Sequence, residues 1–83
     1  MIYTVTWVPS AENQLADIYN QASDKQAVTD AANRIDRVLR IDAHRQGIGV
    51  RGRRVFSVPP LIVVFDVSPD DRMVRVLRVR RTP

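Results

Sequence analysis

Seven arginines, Arg51, Arg53, Arg54, Arg75, Arg78, Arg80 and Arg81, are the side chains of this sequence best equipped for chemistry. A guanidinium presents a planar fork of N–H donors that fits a phosphate or a carboxylate equally well. Their clustering is uneven. Residues 1–42 carry four Lys/Arg against six Asp/Glu, a net −2, and residues 43–83 carry nine against three, a net +6. A basic region of this kind, with a pI near 10.7, points to nucleic acid, the ribosome or an acidic protein partner. For any single arginine the plainer reading is a charged strand edge that resists aggregation. For seven on nearby strands a binding face is the stronger reading.

Other chemistry is sparsely represented. His44 is the single histidine. It follows a helical stretch, where a cationic imidazole stabilises the C-terminal end, so capping precedes general acid–base catalysis as its reading. No cysteine is present, which excludes disulfides and thiolate metal sites, and no metal or cofactor is expected. There is no nucleophilic triad, no GxGxxG and no GKS phosphate loop. Asp66 reads as the cross-strand partner of an arginine rather than a general base. Asp70 and Asp71 read as turn residues.

These residues must be positioned by a small fold. A chain of 83 residues is expected to make a single domain, 1–83, that buries only roughly 60–65% of its unfolded surface. Residues 2–8 alternate with period two and read as a strand, with Tyr3, Val5 and Trp7 on one core face. Ser10 is placed to cap a helix running to about Ala22, whose apolar stripe is Ala11, Leu15, Ile18, Tyr19 and Ala22. Ser23 and Gln26 fit a capping box for a second helix to about Asp42, with Val28, Ala31, Ala32, Ile35, Val38 and Leu39 buried. Asp30–Arg34 and Asp36–Arg40 have the spacing of favourable ion pairs on that helix.

Residues 43–52 hold all three glycines and read as a mobile loop or weak strand entry. Three strands follow: Arg53–Val58, Leu61–Val67 and Met73–Arg80, joined by Pro59-Pro60 and by Ser68-Pro69-Asp70-Asp71. The middle one is apolar on both faces, hence central and covered on both sides. In the last, Val74 and Val76 are out of phase with Val79, so a bulge near Leu77 or a strand that outruns the core is expected. The fold class is α+β, order β-α-α-β-β-β, with a helical hairpin on one face of a mainly antiparallel four-stranded sheet. The other face is left for solvent or a ligand. Residues 1–4 do not resemble a signal peptide and Leu61–Phe65 is too short to span a bilayer, so the cytoplasm and no membrane partner are expected.

Several segments, in this order and spacing, resemble the RelE/ParE superfamily of toxin–antitoxin toxins. They are Trp7-Val8-Pro9-Ser10-Ala11-Glu12 with Leu15-Ala16-Asp17-Ile18-Tyr19, then Ala32-Asn33-Arg34-Ile35-Asp36 and Gly52-Arg53-Arg54. The last two are Leu61 to Val67 and Val74 to Arg81. The resemblance implies the toxin of a type II system, held inactive by a cognate antitoxin that wraps around it. It would arrest growth by ribosome-dependent mRNA cleavage or by poisoning DNA gyrase; the alternative is an inactive member that only binds antitoxin. For cleavage it implies Arg53, Arg54, Arg78 and Arg81 holding the scissile phosphate, with His44 as the available proton carrier. Arg51, Arg75 and Arg80 would bind phosphate or an acidic partner. The family's arginine ahead of the central strand has no counterpart at Leu61 or Ile62, and its C-terminal aromatic has none before Pro83. An antitoxin that is acidic where it meets the sheet, and partly disordered when free, is expected.

Overall fold

A computed structural model describes residues 2–83. The elements are β1 (Thr4–Trp7), α1 (Pro9–Gln21), α2 (Lys25–Asp42), a 3-10 turn (Ala43–Arg45), β2 (Ile48–Val50), β3 (Arg53–Val58), β4 (Leu61–Ser68) and β5 (Met73–Arg81). The sheet order is β1-β5-β4-β3-β2; β1 runs parallel to β5 and every other neighbouring pair is antiparallel. The α+β class and helical hairpin are as expected, but the sheet has five strands, not four. The added strand, Ile48-Gly49-Val50, is too short for periodicity to reveal. It forms because a tight turn with left-handed Arg51 and Gly52 folds it back on β3.

Gly47 explains why glycine clusters here. Its φ is +72°, and a Cβ there would collide with the Val55 carbonyl. The chain can pass this close to β3 only without a side chain.

The core lies between the hairpin and one sheet face. Val28, Ala31, Ile35 and Leu39 of α2 and Ala11 of α1 meet Leu61, Val63 and Phe65 of β4 and Val74, Val76 and Val79 of β5. The phase conflict in β5 is resolved by the expected bulge. Phe65 pairs with Val76 and Val64 with Arg78, so Leu77 is the extra residue. That single insertion lets Val76 and Val79 both point inward, and Arg78 and Arg80 outward.

Some local expectations are corrected. α1 starts at Pro9 with Val8 as its cap residue, not Ser10; proline suits the first helical position, where its missing N–H is no loss. α2 is preceded by Asp24 rather than Ser23, without a side-chain cap, and Gln26 donates to Asp30 instead of closing a capping box. The ion pairs Asp30–Arg34 and Asp36–Arg40 do not form. Asp36 accepts from the Trp7 indole N–H at 2.8 Å, an interaction sequence spacing cannot reveal. Trp7→Phe removes that donor and leaves a partly buried carboxylate without it, so a loss of about 1–2 kcal/mol is expected in urea unfolding. An unchanged midpoint would show that the bond does not contribute.

β4 is central, but it is covered on one face only. Ile62 and Val64 point away from the helices and no element of the described residues lies over them. That uncovered face leads to the site.

Candidate functional site

Strand register sorts the arginines between two faces. On the outer face, away from the helices, one row across the sheet reads Ile48, Val55, Val64, Arg78, and the next reads Ser57, Ile62, Arg80. Arg53, opposite Val50, and Arg75, opposite Asp66, share that face. Ile48 and Val50 are 73% and 50% exposed, unusually open for large apolar side chains. Arg78 and Arg80 are two residues apart on one strand, hence about 7 Å along it. The outer face is therefore an apolar strip bordered by cations.

The cations differ in availability. Arg75 grips Asp66 with two hydrogen bonds, Nε to Oδ1 at 3.3 Å and Nη2 to Oδ2 at 2.9 Å. This bears out the expectation that Asp66 is a cross-strand partner. Arg53, Arg78 and Arg80 are exposed and have no carboxylate partner among the described residues. Arg51 is exposed at the β2–β3 turn.

Two arginines grouped with these in the sequence lie on the helix side. Arg54, opposite Phe65, donates from Nε to the Gln46 carbonyl at 2.6 Å and from Nη2 to the Gly47 carbonyl at 3.0 Å. It thereby ties the glycine-containing segment to β3. Arg81 lies opposite Leu61 and reaches Asp24, between the two helices, at 2.7 Å. The hydrogen bond from Arg81 holds the Asp24 carboxyl below its usual range. A depressed carboxylate pKa means that this tie is present at neutral pH and is lost only as the pH falls through the depressed value. Arg53, Arg54, Arg78 and Arg81 thus do not converge on one phosphate position.

His44 stands apart from the outer face. Its Nδ1 is 3.1 Å from the hydroxyl of buried Tyr3, and its Nε2 is 3.9 Å from Asp42. A small cleft of about 280 Å³ at the sheet end brings His44 together with Arg53, Arg54, Gly49 and Gly52. No carboxylate lines it. No group of three or more His, Cys, Asp or Glu side chains that could hold a metal occurs among the described residues.

The apolar half of the site is what sequence reasoning missed. Ile62 and Val64 were visible as apolar alternates of β4, but full coverage was the natural reading of such a run. Ile48 and Val55 become their neighbours only through the unforeseen pairing of β2 and β3.

Comparison with known proteins agrees with this architecture. A family profile described as the ParE toxin of the type II toxin–antitoxin system parDE matches residues 5–82. The RelBE2 toxin–antitoxin complex of Mycobacterium tuberculosis contains a chain similar in fold, with TM-score 0.80 and 17% identity over 98% of this chain and 99% of that one. A chain of the chromosomal ParDE toxin–antitoxin system from P. aeruginosa gives TM-score 0.78 and 19% identity over 99% and 98%. Among curated protein sequences none matches significantly.

Proposed function

The chain belongs to the ParE toxin family of type II toxin–antitoxin systems, and from that premise we propose that it arrests growth by binding DNA gyrase through its outer sheet face. One observation carries the preference for binding over cleavage. The unpaired Arg53, Arg78 and Arg80 border an uncovered apolar strip of Ile48, Val55 and Val64, while the one carboxylate of β4 on that face, Asp66, is held by Arg75. Apolar anchors ringed by arginine suit a protein surface. Cleavage of a phosphodiester also needs a group to move a proton, and His44 shares a cleft with Arg53 but with neither Arg78 nor Arg80.

The same face is the proposed seat of a cognate antitoxin, since the similar solved chains come from toxin–antitoxin complexes. The antitoxin would present acidic residues to the three free arginines and apolar residues to the strip. Its affinity is then expected to fall as salt is raised, because partly exposed charges are screened. An affinity independent of salt would contradict this. The cytoplasm is the corresponding site of action; no helix among the described residues is long and apolar enough to cross a membrane.

A second reading rests on the cleft that joins His44 with Arg53 and Arg54. There a ribosome-dependent endoribonuclease would use His44 to move the proton. A third, an inactive member that only binds antitoxin, predicts unimpaired growth. Induction without antitoxin, followed by separate measurement of plasmid supercoiling and mRNA integrity, tests all three. Impaired supercoiling with intact mRNA is expected. Cut mRNA that becomes intact with His44→Asn would overturn the gyrase reading in favour of the cleft.

A further inference from the structure

We propose that the solvent face of α2 is a second binding surface, separate from the sheet, for the phosphodiester backbone of nucleic acid. The carboxylates of α2 are engaged away from its arginines. Asp30 accepts from Gln26 at 2.9 Å, Asp36 accepts from the Trp7 indole at 2.8 Å, and Asp42 faces His44 and Arg45. Each acid that sequence spacing pairs with an arginine of this helix is thus occupied elsewhere. Arg34, Arg37 and Arg40 are exposed and have no carboxylate partner among the described residues.

Their placement makes one surface. They recur every three residues, a rise of about 4.5 Å per step. Arg37 projects about 160° around the helix from Ile35, which is fully buried. The stripe therefore faces away from the sheet, and an occupant of the outer sheet face leaves it open. Arg34 and Arg37 line a surface cavity of about 510 Å³ together with Asn33, Val38 and Asp30. Asn33 adds an amide donor of the kind that contacts phosphates.

The composition selects nucleic acid over an acidic protein. A protein interface has an apolar or aromatic centre depleted in charge. Among the described residues the stripe itself carries half-buried Val38 at the cavity wall and exposed Ile41 beyond the last arginine, and the apolar groove of Leu15, Tyr19, Val28 and Ala32 lies to one side, toward α1, beyond Asn33. Three cations flanked by an amide, with the one lining carboxylate, Asp30, engaged by Gln26 and no apolar centre within the stripe, match the requirements of a phosphate backbone. This inference does not depend on which target the sheet takes.

The test uses the full chain with a fluorescent duplex DNA and a fluorescent single-stranded RNA, titrated by anisotropy at 50 to 300 mM salt. The variants are R34Q/R37Q/R40Q, the charge-retaining R34K/R37K/R40K, and the sheet variant R53Q/R78Q/R80Q, each checked for helix content. Binding to at least one probe is expected. The glutamine variant of α2 should weaken it by at least about 30-fold at low salt. It should also flatten the slope of log affinity against log salt by about 2 for RNA or about 3 for duplex DNA. The lysine variant should keep the slope, and the two probes show which polymer supplies the phosphates. The proposal is overturned if wild type binds neither probe, or if the loss follows the sheet variant instead. It is also overturned if polyglutamate binds as tightly with the same dependence on α2, which would make the stripe a protein-docking surface.

Discussion

Reversing Arg53, Arg78 and Arg80 together to glutamate is expected to abolish growth arrest and to weaken antitoxin binding by at least about 1,000-fold. All three side chains are exposed, so the fold should survive and circular dichroism should be unchanged. The magnitude follows from charge placement. An interfacial like-charge contact costs more than a lost attraction, and about 1.4 kcal/mol per site, tenfold each, compounds to that value over three sites. Antitoxin affinity by calorimetry, and growth after induction, read the two effects separately. Growth arrest that persists would move the toxic surface away from the sheet. A control reversing Arg51, at the hairpin turn and outside the strip, should have a far smaller effect.

The second large effect is on stability. Phe65→Ala is expected to cost about 3–5 kcal/mol. Phe65 is fully buried in the central strand, facing the helices. A domain of this size has only about 4–12 kcal/mol in total. The midpoint of thermal unfolding should fall by about 15–30 °C, or the variant should be unfolded at 37 °C. Val64→Ala, one residue earlier and on the outer face, should cost about 1 kcal/mol or less. Comparable losses from the two would mean that the face assignment of β4 is wrong. The contrast also bears on function, because Val64→Ala should weaken partner binding while leaving the fold intact.

The sheet is covered by helices on one side only. Helices supply enough apolar surface to bury Leu61, Val63 and Phe65. Nothing comparable lies over Ile62 and Val64, so part of a central strand remains available to a partner. An exposed apolar strip on a small toxin is a reason for it to exist bound to its antitoxin, and the bordering arginines would make that association charge-selective.

Much of this could be read from residue order alone, for a physical reason. Hydrophobic period decides which segments are helices or strands, and charge balance is a property of composition. The helical hairpin, the strands at Arg53–Val58, Leu61–Val67 and Met73–Arg80, a phase conflict near Leu77 that a bulge would relieve, and an arginine partner for Asp66 all follow from local pattern; the structure extends two of those strands to Ser68 and Arg81, places the bulge and identifies Arg75. The family resemblance drew on that same order.

The remainder depended on contacts between distant parts of the chain. β2 exists because a left-handed turn returns it to β3, and three residues carry no period of their own. Asp36 meets Trp7 rather than Arg40, and Arg81 meets Asp24, across sequence separations of 29 and 57 residues. These long-range partners determine which arginines are occupied and which are free. The sequence by itself determined that the chain is an α+β domain with a strongly basic C-terminal half. Only the tertiary structure decided that Arg54 and Arg81 hold the fold together, and that Arg53, Arg78 and Arg80 face an open apolar strip. Carboxylates and a short strand brought in from distant parts of the chain set which partner each side chain has, and no local pattern encodes them.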